Sequence, residues 1–321
     1  MKHLTIPIVA GLIAAGFTVV AHAAWPERPI MVTVPFAAGG TGDIIARVTA
    51  EWLTTALKQK VVVENRAGAS GAIAAEFVAR TPADGYTLFM ASAGVMEIVP
   101  HMQKVRYDTF KSFVPISVVG SNAQALAANP GFPAKTLAEL VSYAKERPGQ
   151  VIYASSGNGT LAHLTMVLLL QRAGITMSHV AYKGNAPALS DVLGGHVPLY
   201  IGGVFEALLH HKGGKIKVLA VSTDKRVSQL PEVPTVAEQG FPGFSTATWN
   251  GLMAPTGTPK EVVSITASAL RPACQDSGFI AKLEAMGIEP MCNSPEQFSE
   301  MLRANWVMWQ EAVKVSGVAL Q

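Results

Sequence analysis

Cysteine is almost missing from this chain. Two in 321 residues exclude a disulfide-stapled scaffold and any multi-cysteine zinc or iron–sulfur site. Charge is scarce as well: charged residues are 15% of the chain, and 25 basic against 22 acidic side chains leave a net +3. That balance is too even and too scattered for a nucleic-acid surface. With 49% hydrophobic residues, so little charge also excludes disorder. Beyond the first 23 residues no apolar run is long enough to span a bilayer; the richest, Leu164 to Leu170, runs straight into Gln171-Arg172. The histidines lack metal-ligand spacing, since His210 and His211 are adjacent. No G-x-S-x-G elbow is present: Gly68-Ala69-Ser70-Gly71 is followed by Ala72.

What is present begins with an address. Met1-Lys2-His3 is short and basic, Leu4 to Val20 is apolar, and Ala21-His22-Ala23 offers small residues for a signal peptidase. A cleaved secretory signal over residues 1–23 is therefore expected, and the proline and glycines in the apolar part argue against a membrane anchor. An exported chain lives without maintained ATP, NAD or glutathione, so no cofactor is expected. In an oxidising compartment a Cys274–Cys292 bridge and two free buried thiols are both compatible with the sequence.

The rest of the chain alternates β-runs and amphipathic helices, with strands at Ile30–Val34, Val61–Val63 and Thr87–Met90 and helices between them. The rhythm returns at 151–153, 161–172, 178–180, 187–193, 197–201 and 216–221. Such alternation predicts an α/β protein with mainly parallel sheets flanked by helices. Two sets of βαβ units predict two lobes, with 24–120 and 248–321 as lobe I and 121–247 as lobe II. The stretches 116–128 and 245–254 would cross between them, and helices over 259–270 and 295–315 would complete lobe I.

In open α/β sheets a ligand sits at the carboxyl ends of the strands, against helix N-termini. Four loops qualify. Gly39-Gly40-Thr41-Gly42-Asp43 opens the first helix, with Thr41 or Asp43 as its cap; for Asp43 capping is the better reading, because a carboxylate would repel an anion. The second is Ala91-Ser92-Ala93-Gly94. The third runs from Ala154 to Thr160 and opens the helix carrying His163, a histidine that either faces a ligand or is satisfied within the cap. The fourth is Ala181 to Pro187, with Lys183 the one cation in these loops. Gly157-Asn158-Gly159-Thr160-Leu161-Ala162 fits a dinucleotide fingerprint, but no acid follows until Asp191, which argues against it.

In this order, several segments resemble periplasmic solute-binding proteins of the Bug type, the receptors of tripartite tricarboxylate transporters. They are Trp25-Pro26-Glu27-Arg28-Pro29, Pro35-Phe36 with Gly39-Gly40 and Asp43, Val63-Glu64-Asn65-Arg66, and Asp84-Gly85-Tyr86-Thr87-Leu88. Tyr153-Ala154-Ser155-Ser156-Gly157 with His163, Tyr182-Lys183-Gly184, Leu230-Pro231 and Ala254-Pro255 continue the series. The resemblance covers essentially the whole chain after residue 23. It implies a type II periplasmic-binding fold, two lobes closing on a small organic carboxylate without catalysis, in the periplasm. It also implies a monomer that delivers to integral-membrane transporter subunits, with no metal. First-lobe contacts implied are Phe36, Gly39, Gly40, Thr41, Asp43, Ser92 and Gly94. Second-lobe contacts implied are Ser156, Gly157, Asn158, Thr160, His163, Lys183 and Gly184.

One position departs from the family pattern. After the strand 197–201 the family usually has an Asp and a small polar residue, where this chain has Gly202-Gly203. The expectation is a lost side-chain acceptor and gained space. The ligand would then be a bulkier or purely anionic carboxylate, a di- or tricarboxylate or an aromatic acid, walled by Phe205 and Trp249. The alternatives are a carboxylate-sensing receptor for a membrane kinase and a secreted α/β hydrolase.

Overall fold

The computed structural model describes residues 25–318; the expected signal segment 1–23 lies outside the described residues. Strand β1 (Ile30–Val34) leads into helix α1 (Thr41–Leu57), β2 (Val61–Asn65), α2 (Ala72–Val78) and β3 (Thr87–Ser92). A single π-type turn, Gly94–Ile98, and the short α3 (Val99–Met102) precede the long strand β4 (Phe113–Ala128). Then come α4 (Leu137–Lys145), β5 (Ile152–Ser155), α5 (Leu161–Ala173), β6 (Ser178–Ala181), α6 (Asn185–Leu193), β7 (Leu199–Gly203), α7 (Val204–Lys212) and β8 (Lys217–Val221). Strand β9 (Ala247–Pro255) returns, and α8 (Lys260–Leu270), α9 (Ser277–Glu284), β10 (Glu289–Pro290) and α10 (Pro295–Ser316) finish the chain.

Helix α1 shows why such segments fold as they do. Ile45, Ala46, Thr49, Ala50 and Leu53 recur at helical spacing and are buried against β1, whose Ile30, Val32 and Val34 point the same way. Ile44 falls off that stripe and stays exposed. Lys58 ends the helix in a left-handed conformation, φ 52°.

Strands run in the order β2-β1-β3-β9-β4-β7-β5-β6. β2-β1-β3 and β6-β5-β7 are parallel trios, each with helices on both faces, as βαβ crossovers require. The sheets are less uniformly parallel than the repeated βαβ rhythm predicts. β4 and β9 run antiparallel to each other, β9 antiparallel to its neighbour β3 and β4 to its neighbour β7, because they carry the chain out of one half and back. Along β4 the partner changes at one point: Ala123 still pairs with Ala247 of β9, while Gln124 pairs with Gly203 of β7. Two adjacent strands thus cross between lobes at residues 123 and 247.

The final helix does not belong to lobe I alone. Phe298 and Leu302 of α10 pack with Phe89, Trp249 and Met253, whereas Trp309, Ala312 and Val313 enter the second-lobe core beside Leu164 and Leu169. A Cys274–Cys292 disulfide links the segment after α8 to the loop before α10, with the Cα atoms 5.9 Å apart. It closes a loop 18 residues apart in sequence, for which chain entropy gives about 3 kcal/mol. Reduction, or C274A/C292A, should lower urea-unfolding stability by about that amount; an unshifted midpoint would refute it.

Candidate functional site

At the tip of α1 the backbone offers donors and little else. Gly40 is the N-cap, extended at φ −79°, and no side chain caps the helix. Thr41, Gly42 and Asp43 therefore begin α1 with N–H groups that have no partner one turn back, at the positive end of the helix dipole. Neither Thr41 nor Asp43 caps the helix as expected. The Asp43 carboxylate is buried and accepts the Gly39 N–H (2.9 Å), Arg47 Nε (3.0 Å) and Asn65 Nδ2 (2.9 Å). Burial would push this carboxyl up, but the hydrogen bonds from Arg47, Gly39 and Asn65 outweigh it and hold it below the usual range. Asp43 and Gly39 thus build the loop; neither lines the cavity. Gly42 lies so close to the crossing strand that a Cβ there would stand 3.2 Å from Asn250 Oδ1 and 3.3 Å from the Phe36 ring.

A cavity of about 560 Å³ lies beneath this tip. Phe36, Gly40, Thr41, Ser92 and Gly94 bring the first lobe to its wall. The Ser92 side chain, at the end of β3, is 5% exposed and its Oγ has no hydrogen-bond partner. The floor comes from the crossing strands: Asn122 and Gln124 of β4, Thr248 and Asn250 of β9. These are i, i+2 pairs, so strand pleating aims each pair at one face. The same alternation corrects the place of Trp249. It points to the opposite face, is 1% exposed, packs edge-on against Phe298 and donates its indole N–H to Glu97 Oε1 at 3.0 Å. The floor residues went unread in the sequence, although polar side chains at alternate positions in two otherwise apolar crossing segments were the signal.

The second lobe supplies Leu161, Asn185, Gly203, Phe205 and Glu206. Its hydroxyl-rich loop before α5 largely satisfies itself. Thr160 Oγ1 donates to Gly157 O (2.8 Å) and accepts from the His163 N–H (3.3 Å), while Ser156 Oγ donates to Thr160 Oγ1 (3.3 Å). Ser156 and Gly157 accordingly do not line the cavity. Asn158 and Thr160 face a side chamber of about 340 Å³ that shares Phe36, Gly94 and Leu161 with the main one. The tips near Gly40 and Gly157 thus adjoin through common walls, but only the first projects into the main chamber.

His163 takes the satisfied role. It is buried, its Nδ1 accepts the Gly159 N–H at 3.1 Å, and it stacks on His179 at 4.2 Å. Burial first, and the neighbouring His179 second, push its pKa down to about 4, so it is neutral at pH 7. Lys183 is exposed and Gly184 caps α6; neither reaches the cavity, where Asn185 takes the place of both.

Gly202 and Gly203 do not create free space. A Cβ on Gly202 would meet the Tyr200 hydroxyl, and one on Gly203 would meet a Glu206 carboxylate oxygen. Tyr200 fills the first position from within the core, so Gly202 is off the cavity wall. Glu206, in the first turn of α7, curls back over Gly203 and into the chamber. The acceptor expected to be lost is thereby present, delivered from three residues further on. Phe205 does line the chamber, half exposed. Among the described residues no cluster of His, Cys, Asp and Glu could hold a metal ion, and no helix is long and apolar enough to cross a membrane.

A family model, the tripartite tricarboxylate transporter family receptor, matches residues 45–318. Protein BugT of Bordetella pertussis is 35% identical over 299 residues, 92% of each chain. A solved R. palustris protein with adipate is 35% identical, with a TM-score of 0.76 over 93% of this chain and 100% of that one. MatC of Rhodopseudomonas palustris, solved with bound malate, is 29% identical, with a TM-score of 0.71 over 90% and 100% of the two chains.

Proposed function

The chain belongs to the tripartite tricarboxylate transporter receptor family, and from that premise we propose that its inter-lobe cleft captures a small organic carboxylate for the membrane subunits of such a transporter. The observation that carries this reading is the α1 tip. Uncapped N–H donors stand beside the buried, unpartnered Ser92 Oγ on the wall of a chamber that both lobes line. With no lysine or arginine among the described residues on that wall, a carboxylate is held by backbone N–H groups, the Ser92 hydroxyl and the amides of Gln124 and Asn250. The adipate and malate in the two solved relatives support the same ligand class.

Lobe I, taken as 24–120 with 248–321, and lobe II, 121–247, close over the ligand because both contact it only in the closed form. The protein works in the periplasm as a monomer after loss of residues 1–23, and it catalyses nothing. Ser155 is the serine paired with a histidine, its Oγ 2.6 Å from His179 Nε2, but it is fully buried away from the chamber. A hydrolase would need such a nucleophile on the chamber wall.

A thermal-shift and calorimetric screen against mono-, di- and tricarboxylates tests the reading. A ligand at a hundred times its Kd should stabilise by roughly 2.7 kcal/mol. Ser92→Ala should then weaken its binding about 10- to 100-fold, the range of one hydrogen bond to a charged group. No stabilisation by any acid would overturn the proposal.

A further inference from the structure

The chamber has two chemically unlike ends. One is the donor-rich α1 tip. At the other, Glu206 is, among the described residues, the sole ionisable side chain on the wall. Its Oε1 accepts Asn185 Nδ2 at 2.8 Å, and among the described residues no lysine or arginine pairs with it. Among the residues that line the chamber near it, the polar atoms without partners are acceptors, Asn185 Oδ1 and Asn122 Oδ1; the unpartnered Tyr200 hydroxyl lies behind the wall. The Asn185 orientation is fixed by its bond to Glu206, which needs the amide nitrogen on that side. A carboxylate and two orphan carbonyl oxygens on one wall call for a ligand group that donates several hydrogen bonds and carries positive charge. A second ligand carboxylate placed there would meet like charge and find no donor.

We propose that Glu206 is a specificity-determining residue that makes this cleft select carboxylates also bearing a cationic nitrogen, an amino acid rather than a plain di- or tricarboxylate. The inference rests on the reading of the α1 tip as the carboxylate end, and it reverses the expectation drawn from Gly202-Gly203. Glu206 at the first turn of a helix is also an ordinary favourable position for an acid. However, a carboxylate serving only its helix would bond the backbone N–H groups of that turn, and this one takes Asn185 and turns to the chamber instead. Gly203 is what allows the turn, since any Cβ there would occupy the carboxylate's place.

The test is calorimetric titration of the full mature chain with matched acids: succinate against aspartate, glutarate against glutamate, butyrate against 4-aminobutyrate. The ammonium-bearing member of at least one pair should bind tighter, and Glu206→Gln should erase that preference by roughly 10- to 100-fold, as for a charge-assisted hydrogen bond. Gly203→Ala, which displaces the carboxylate without changing charge, should shift the ratio in the same direction. A purely structural role for Glu206 would weaken both members of a pair equally and leave the ratio unmoved. If the plain acids bind as tightly as their amino partners, or Glu206→Gln leaves the ratio unchanged, this inference fails and the carboxylate site stands. If no acid of either kind binds, both fail.

Discussion

Glu97→Gln should be more stable than the natural protein at pH 8, on the order of 3 kcal/mol, and nearly equal to it at pH 5. Glu97 sits in the π-type turn after β3, fully buried, and accepts Trp249 Nε1 at 3.0 Å and Asn305 Nδ2 at 3.2 Å on Oε1. The Trp309 indole N–H lies beside the same carboxyl without completing a hydrogen bond. Burial dominates these partial compensations and pushes the pKa from its ordinary 4.5 up to about 8. Between those values the folded chain holds a proton that the unfolded chain has released. Stability therefore falls as pH rises through that window, by about 1.4 kcal/mol per unit at most, and levels off above pH 8. Glutamine keeps the acceptor for Trp249 and Asn305 and removes the titration. His163 acts in the opposite sense. Its depressed pKa makes stability fall as pH drops from its ordinary 6.5 towards about 4. Because the histidine is unchanged in the variant, the difference between the two urea-unfolding curves at pH 5, 6.5 and 8 isolates Glu97. Parallel pH dependences would refute the assignment.

Gly42→Val should abolish ligand capture, by about 100-fold or more, while the chain still folds. At Gly42 the first turn of α1 comes within van der Waals distance of Asn250 and Phe36, so even a Cβ is tight. A β-branched side chain must displace both residues and fill the space under the uncapped N–H groups. Helix N-termini tolerate valine at a cost of about 1 kcal/mol or less relative to other residues. Binding by calorimetry should therefore collapse while thermal unfolding shifts by a few degrees. Retained affinity would mean that the α1 tip is not the anchoring point.

Much of the architecture was legible because periodicity records burial directly. The strands at 30–34 and 87–90 and the helix after Gly40 appear where the apolar spacing puts them, since each must cover a sheet face. Phase was harder. Trp249 is a large aromatic on a crossing strand, but β9 aims residues 248 and 250 at the chamber and 249 behind it. Only the register with β4 decides which face is which. His163 and Asp43 stand in the right loops, yet both are consumed by local N–H groups, Gly159 for one and Gly39 for the other. Sequence places a polar side chain near a ligand; it does not say whether the loop itself has already taken it. Glu206 is hidden in the sequence for the converse reason. It lies one helical turn past Gly202-Gly203, and curling back over a Cβ-less residue is invisible in linear order.

Because α10 gives Phe298 to one core and Trp309 to the other, neither half of this molecule is complete without the last 22-residue helix. Residues 121–247 alone would leave a tryptophan-sized hole beside α5, and the first lobe without α10 would lack the apolar cover over Trp249. In denaturant the two cores should therefore be lost together, as one cooperative unit, because a single helix seals both.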